Sequence, residues 1–267
     1  VQPDFPPRRT TPANPFDFTG KLALVLGGTS GLGKTLALGF ARAGADVIAS
    51  SRSPQATTTS SLEIEELGRR TLDLPSDVTS RASLDQLRSA ILAHLPAPDI
   101  LVNCAGITKR VPTLDCSESL WNQIFDVNLT GTLRACQVFG ADMIARRSGK
   151  ILNIASLSTF LAFHEVTPYG ASKAAVGALT KSLAVEWAPH NVQVNAIAPG
   201  IFPTALNSAL LDSPRGQELL LRTPAARFGH PEELVTTALY LASDATSFTT
   251  GQIIPVDGGF LASGVNQ

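Results

Sequence analysis

An apolar run, Lys21 to Leu26 (KLALVL), passes without a break into Gly27-Gly28-Thr29-Ser30-Gly31-Leu32-Gly33, and Leu32, Leu36 and Phe40 then recur at helical spacing to about Ala43. The run is strand-length and the recurrence is that of one helix face, so a strand, a glycine-rich turn and a helix follow in succession. Parallel α/β sheets are built from that corner, because the crossover helix returns the chain to the sheet. Glycines at the turn let the main chain approach a pyrophosphate, and the helix N-terminus behind it favours the negative charge. The turn therefore reads as a dinucleotide-binding corner, with a plain glycine-rich turn as the alternative. Its spacing, Gly27-x-x-x-Gly31-x-Gly33, departs from GxGxxG, and a P-loop is not expected.

The same alternation continues along the chain and predicts a doubly wound parallel α/β sheet, a Rossmann fold. It forms a single domain over residues 16–267, of about seven strands with helices on both faces. The expected strands are Lys21 to Leu26, Asp46 to Ser50, Thr71 to Ser76, Ile100 to Asn103, Lys150 to Ala155, Val192 to Ala198 and Gln252 to Val256. Pro75 lies in the third and cannot donate to a ladder. Arg52 to Ser61 reads as a polar loop before a short helix at Leu62 to Arg70, and Ser117 to Arg146 as a long helix bent near Gly131. A helix starts at Pro168, where a first-turn proline is tolerated, and another covers Pro231 to Ser243. Residues 201–228, rich in proline and holding a short apolar helix near Ala205 to Leu211, read as a lid over a substrate. Residues 1–15 read as a flexible arm, with five prolines, two arginines and no apolar segment of a secretory signal.

Composition narrows the partners. Hydrophobic residues make up 44% and charged ones 16%, which excludes a disordered chain, and the longest apolar runs fall far short of a membrane helix. A net charge of −1 provides no footprint for nucleic acid or anionic lipid, so the expected partner is a small molecule. Cys104, Cys116 and Cys136 are odd in number and lack CxxC spacing, which argues against a disulfide framework and a zinc site and fits a reducing cytoplasm. His94, His164, His190 and His230 show no paired ligand spacing, and no metal is expected.

A second stretch, Ser156 to Lys173 (SLSTFLAFHEVTPYGASK), holds a serine, a tyrosine and a lysine that one small reaction could share. Tyr169 and Lys173 are four residues apart, on one helix face, with the ammonium expected close to the phenol oxygen, where a cation favours phenolate. A partly buried Tyr beside an amphipathic Lys is also ordinary helix surface.

Taken together, the two stretches strongly resemble the classical short-chain dehydrogenase/reductase family, from about Phe16 to Phe260. The resemblance is carried by Gly27 to Gly33, Asp77-Val78-Thr79, Asn103-Cys104-Ala105-Gly106, Asn128, Ser156 with Tyr169 and Lys173, Pro199-Gly200 with Thr204, and Asp257-Gly258-Gly259. It implies a carbonyl–alcohol oxidoreductase in which Tyr169 exchanges the proton, Lys173 lowers the tyrosine pKa and binds the nicotinamide ribose, Ser156 bonds the reacting oxygen and Asn128 holds a relay water. It further implies cofactor contacts at Gly27, Thr29, Ser30, Gly31, Leu32 and Gly33, at Asp77 and Val78 beside the adenine, and at Asn103, Ala105 and Gly106 on its ribose side. Tyr169, Lys173, Pro199, Gly200, Ile201 and Thr204 complete the list at the nicotinamide end. Ser158 is the competing serine, read as a solvated loop hydroxyl. Two positions depart from the family pattern: Leu26 replaces a usual Thr and Cys104 a usual Asn.

At the end of the second strand, where an acidic residue would hold the ribose of NAD, stand Ser51 and Arg52. A serine leaves room and a guanidinium pairs with a 2′-phosphate, so NADP(H) is expected over NAD(H), the alternative being a solvated loop arginine. Phe16 to Lys21 and Thr223 to Gly229 with Pro231 to Leu234 resemble the sugar-acid and polyol branch, the gluconate 5-dehydrogenase-like enzymes. A 3-oxoacyl-[acyl-carrier-protein] reductase, with Lys109 and Arg110 as docking cations, is the second enzyme reading, and a non-catalytic dinucleotide sensor or scaffold the third. The resemblance also implies a homotetramer, or a dimer, packed through the helices of Asn128 and Tyr169.

Overall fold

The structure is a computed structural model that describes residues 14–204 and 213–264. Six parallel strands form one sheet among the described residues: β1 (Leu22–Leu26), β2 (Asp46–Ser50), β3 (Ile100–Asn103), β4 (Gly149–Ile154), β5 (Val192–Pro199) and β6 (Ile253–Val256), in the order β2-β1-β3-β4-β5-β6. β1, β3, β4 and β5 are buried throughout, as strands covered on both faces must be, so they read as unbroken apolar runs. The period-2 pleat then sorts each strand between two cores. Ala23, Val25, Val102 and Leu152 pack with Phe40 of helix α1 (Gly31–Arg42) and Leu234 and Leu241 of helix α8 (Glu233–Ala242). Leu22, Leu24, Leu101 and Ile151 face Leu84 and Ile91 of α3 (Arg81–His94), Phe139 of α5 (Gly131–Ala145) and Trp187 of α6 (Thr167–Trp187).

The expected strand at Thr71 to Ser76 does not form, which corrects the count from seven to six. Its segment meets β2 through only two main-chain bonds, Val47 N to the Arg70 carbonyl (3.1 Å) and Ser76 N to the Ser51 carbonyl (2.9 Å). Between them Pro75 has no N–H, and the Leu74 carbonyl is taken by the Ser50 hydroxyl (2.6 Å) rather than by a strand neighbour. The polar loop expected at Arg52 to Ser61 is instead most of helix α2 (Pro54–Glu66). Ser53 caps it by accepting from Ala56 N at 3.3 Å, and Pro54 occupies the first turn. The long helix around Asn128 is divided into α4 (Glu118–Phe125), one π turn (Asp126–Thr130) and α5. Gly131 marks the junction because a Cβ there would sit 2.9 Å from the Val78 side chain. Helix α7 (Pro214–Leu221), capped by Ser213, falls within the expected lid. The helix expected near Ala205 to Leu211 and most of the expected N-terminal arm lie outside the described residues.

One core position works against stability. Lys150 of β4 is 6% exposed, and its Nζ has no hydrogen-bond partner. Burial pushes this ammonium down to about 8, with the Lys21–Asp244 ion pair (2.9 Å) acting on it from outside in opposing senses. A lysine whose folded pKa lies below its unfolded value of 10.5 costs stability fully below pH 8, and the cost is relieved as pH rises towards 10.5. Lys150→Met is therefore expected to raise stability by on the order of 3 kcal/mol at pH 7. Denaturant melts at pH 7 and pH 10 check this, and the gain must shrink at the higher pH.

Candidate active site

Every strand from β1 to β5 delivers its predicted residues at its carboxyl end: Gly27 after β1, Ser51 and Arg52 after β2, Asn103 at the end of β3, Ser156 just past β4, and Pro199 at the end of β5. The order β2-β1-β3 means that the chain leaves β1 in one direction along the sheet and resumes at β3 in the other, opening a crevice at the turn after β1. That turn is held by Gly27 N and Gly28 N, both donating to the Ser50 carbonyl (2.8 and 3.2 Å). Gly27, at φ +78°, lets Ala105 approach so closely that a Cβ would stand 2.6 Å from Ala105 N.

Gly28-x-x-x-x-Gly33-Lys34-Thr35 does satisfy P-loop spacing, and it is the geometry that decides against one. Lys34 Nζ is paired with Glu63 Oε1 of α2 at 2.7 Å, and Thr35 Oγ1 donates back to the Gly31 carbonyl at 3.3 Å, so neither is offered to phosphates or magnesium. The turn does fit a dinucleotide. Ser30, the N-cap of α1, makes no side-chain cap bond, and a Cβ on Gly31 would meet only the Thr204 side chain, at 3.7 Å. The first N–H groups of α1, from Leu32 and Gly33, are thus left without a side-chain cap where an anion would sit. Thr204 follows the Pro199–Gly200–Ile201 strand end, which Gly200 N secures to the Val256 carbonyl (2.8 Å) and the Ile201 carbonyl secures to Gly229 N (3.0 Å).

At the β2 end, Thr29 Oγ1 donates to Ser51 Oγ at 2.8 Å, joining the glycine turn to the position beside Arg52. Arg52 is exposed and close enough to Asp77 to act on its charge. Burial alone would raise Asp77, but the Thr79 N–H and hydroxyl (2.9 and 2.8 Å), Arg52 and Arg134 outweigh it and hold the carboxyl below its usual range. Val78 packs on Gly131 and its carbonyl accepts from Arg134 (3.4 Å). Asn103 points elsewhere than expected. Its side chain is buried and donates to Asn153 Oδ1 (2.9 Å), which continues to Thr180 of α6 (2.9 Å), so only its main chain borders the crevice.

The reacting stretch converges at Gly106, where a Cβ would stand 3.4 Å from Asn128 Oδ1 and 3.6 Å from Lys173 Nζ. Asn128, inside the π turn, pairs with the peptide of Ile107 in both senses (Ile107 N to Oδ1 2.8 Å, Nδ2 to the Ile107 carbonyl 3.0 Å) and donates to Ser172 Oγ at 3.0 Å. The Ser172 hydroxyl in turn donates to the Tyr169 carbonyl (2.8 Å). The Asn128 side chain is thereby committed to holding the β3 loop against α6. π turns recur at functional sites because they release helix carbonyls from their usual partners.

Lys173 is buried, donates to the Ile154 carbonyl at 2.6 Å and lies 5.8 Å from the Tyr169 ring centre. Burial presses it down to about 8, opposed by Cys104. The expected depression of Tyr169 by Lys173 is absent in this state. Burial holds the phenol above its ordinary range, a hydrogen bond with Ser156 pulls it down, and Cys104 adds to the rise. The reason is geometric: the ammonium is turned to the main chain at the end of β4. Ser156 also accepts from Ser158 N (3.1 Å), and Ser158, expected to be solvated, is buried with its hydroxyl unpaired. Cys104 itself is pushed up to about 11 by burial, an unreactive thiol beside the tyrosine–lysine pair. Ser172, Ile107 and the Ile154 carbonyl are the participants that sequence reasoning missed, and only Ser172, three residues after Tyr169, carries any sequence signal.

A family model described as enoyl-(acyl carrier protein) reductase matches residues 27–261. The chain belongs to the short-chain dehydrogenase/reductase family. As such it is an oxidoreductase acting on CH–OH groups. A 2-dehydro-3-deoxy-D-gluconate 5-dehydrogenase of Pseudoalteromonas atlantica is 42% identical over 92% of this chain and 98% of the relative. An NAD-dependent glycerol dehydrogenase of Listeria innocua is 37% identical over 92% and 95%. The solved structure of a gluconate 5-dehydrogenase from Burkholderia cenocepacia in complex with NADP and tartrate superposes with a TM-score of 0.90 at 38% identity, over 93% of this chain and 98% of that one. Among short-chain dehydrogenases, then, this chain is similar to sugar-acid and polyol enzymes, and a dinucleotide is its cofactor.

Proposed function

We propose that this protein is an NADP(H)-dependent reductase of a keto sugar acid, interconverting the ketone and its secondary alcohol in a gluconate 5-dehydrogenase-like reaction. The observation that carries the reading is the convergence of Ser156, Tyr169 and Lys173, with Cys104 beside both the tyrosine–lysine pair and Gly33 in the first turn of α1. In the crevice, Gly27, Thr29 to Gly33 and Pro199 to Thr204 hold the dinucleotide, whose nicotinamide supplies or accepts the hydride. Tyr169, kept protonated by burial, donates the proton to the ketone oxygen, and Ser156 bonds the same oxygen as charge develops on it. Lys173 stands ready to leave the Ile154 carbonyl for the ribose hydroxyls, and Asn128 fixes the loop that borders them. The described part of the expected lid, residues 213–228 with helix α7, covers the substrate. The assembly is a homotetramer, or a dimer, in a reducing cytoplasm, and light scattering tests its size.

Ser51 and Arg52 support NADP(H), and Arg52→Ala is expected to lower the NADPH-over-NADH selectivity in kcat/KM by about tenfold. Selectivity that is unaltered, or that favours NADH in the wild type, would place Arg52 in solvent. The reaction is tested by NADPH consumption with 5-keto-D-gluconate, neutral ketoses and acetoacetyl thioesters. Turnover confined to the thioesters would favour the acyl-carrier reductase reading, and none at all across a broad carbonyl panel would leave the non-catalytic one.

A further inference from the structure

Three segments meet beside the reacting residues: the loop after β3, the stretch between Ser156 and Tyr169, and helix α7. Val111 N donates to the Glu165 carbonyl (2.8 Å), the Thr113 and Thr167 hydroxyls bond at 2.8 Å, and Arg215 Nη1 of α7 donates to the His164 carbonyl at 3.0 Å. Four side chains able to carry positive charge stand here: Lys109, Arg110, His164 and Arg215. Among the described residues one carboxylate, that of Glu165, is paired with them. It bonds Arg110 Nε at 2.6 Å and lies 3.6 Å from His164 Nδ1. Glu165 adopts a left-handed φ of 63°, costly for a non-glycine residue, and these bonds hold it there.

Glu165 therefore neutralises Arg110 and compensates His164, whereas Arg215 is left with a carbonyl alone. Among the described residues no carboxylate lies within ion-pair distance of it. A guanidinium has five N–H donors in a planar fork, and one of them is used, so a carboxylate is the ligand the rest can take in bidentate fashion. Lys109 is exposed, where a point charge is screened, while Arg215 is half-buried against the loop that joins the two reacting residues. We propose that Arg215 is the specificity-determining residue for the substrate's carboxylate, at the end of the chain remote from the reacting carbonyl. The assignment rests on the sugar-acid reading above.

The test compares 5-keto-D-gluconate with L-sorbose, which carries CH2OH in place of the carboxylate. In the full-length protein with NADPH, Arg215→Gln is expected to lower the ratio of kcat/KM for the acid over that for L-sorbose by about tenfold or more, mainly through KM. Arg215→Lys, which keeps the charge and gives up the fork, is expected to recover part of the ratio, and KM for the acid is expected to lose salt dependence in the Gln variant. A wild type that prefers the acid and an Arg215→Gln variant with an unchanged ratio would overturn the assignment and leave the sugar-acid reading intact. So would a ratio that falls in Arg110→Gln and not in Arg215→Gln. A wild type that does not prefer the acid would overturn both.

Discussion

Tyr169→Phe is expected to lower turnover by about 10²- to 10⁴-fold with little change in thermal stability. Phenylalanine keeps the ring, its packing and its place 5.8 Å from Lys173 Nζ, and removes the hydroxyl together with its bond to Ser156. The lost group is the only phenol in the crevice; of the two acids beside it, Cys104 is held at about 11 by burial and the Lys173 ammonium, at about 8, is turned to the Ile154 carbonyl at 2.6 Å. Substitution therefore leaves no donor placed where the phenol hydroxyl stood. Steady-state kcat for ketone reduction measures the loss, and a fluorescence titration with NADPH shows whether cofactor binding survives. The pH dependence follows from the direction of the tyrosine shift. A phenol raised by burial stays protonated through neutral pH, so ketone reduction persists there, while alcohol oxidation, which needs the deprotonated form, rises with pH. Unchanged kcat in the variant would refute the catalytic reading, whatever the substrate.

Gly33→Ala is the second large effect expected. Its Cβ would stand 2.0 Å from the Gly27 carbonyl oxygen and 2.9 Å from the Gly27 carbonyl carbon, main-chain atoms of the turn itself. No side-chain rotation relieves such a contact, so the turn must move, and Gly27 is already packed on Ala105. Displacement therefore reaches Gly106, beside Asn128 and Lys173. A stability loss of about 1–3 kcal/mol is expected from the overpacking. Cofactor affinity is expected to fall with it, because the N–H groups of α1 lose their alignment. Thermal melts decide this: at about 100 times the Kd, NADPH stabilises the wild type by about 2.7 kcal/mol, and the variant is expected to show no comparable gain. Normal cofactor stabilisation in Gly33→Ala would mean that the turn is only a turn.

β1, β3, β4 and β5 were legible because burial on both faces of a parallel sheet leaves the mark of a short apolar run on sequence. The segment at Thr71 to Ser76 carries only Leu72 and Leu74 as apolar residues, and it fails as a strand because Pro75 and the Ser50 hydroxyl take away the ladder. Helix α2 was hidden by its Thr and Ser residues, which have low helix propensity. Its cap at Ser53 and the burial of Ile64 beneath it outweigh that preference. Gly28 to Thr35 shows the limit of motif spacing: the string satisfies a P-loop, and the Lys34–Glu63 pair, formed across 29 residues, is what withdraws the lysine.

The sequence by itself determined the succession of strand, glycine turn and helix, the placement of Tyr169 and Lys173 on one helix face, and the residue types available for proton and hydride chemistry. These are local properties, set by pleat, helical period and side-chain chemistry within a few residues. Only the tertiary structure decided how those groups are spent. It turned Lys173 to the Ile154 carbonyl, bound Asn128 to Ile107 and Ser172, sent the Asn103 side chain inward, and paired Glu165 with Arg110 while setting Arg215 on the His164 carbonyl. Each of these is a contact between segments distant along the chain, and its strength depends on burial and on which competing partner is nearer. Neither quantity exists until the sheet has brought the strand ends together.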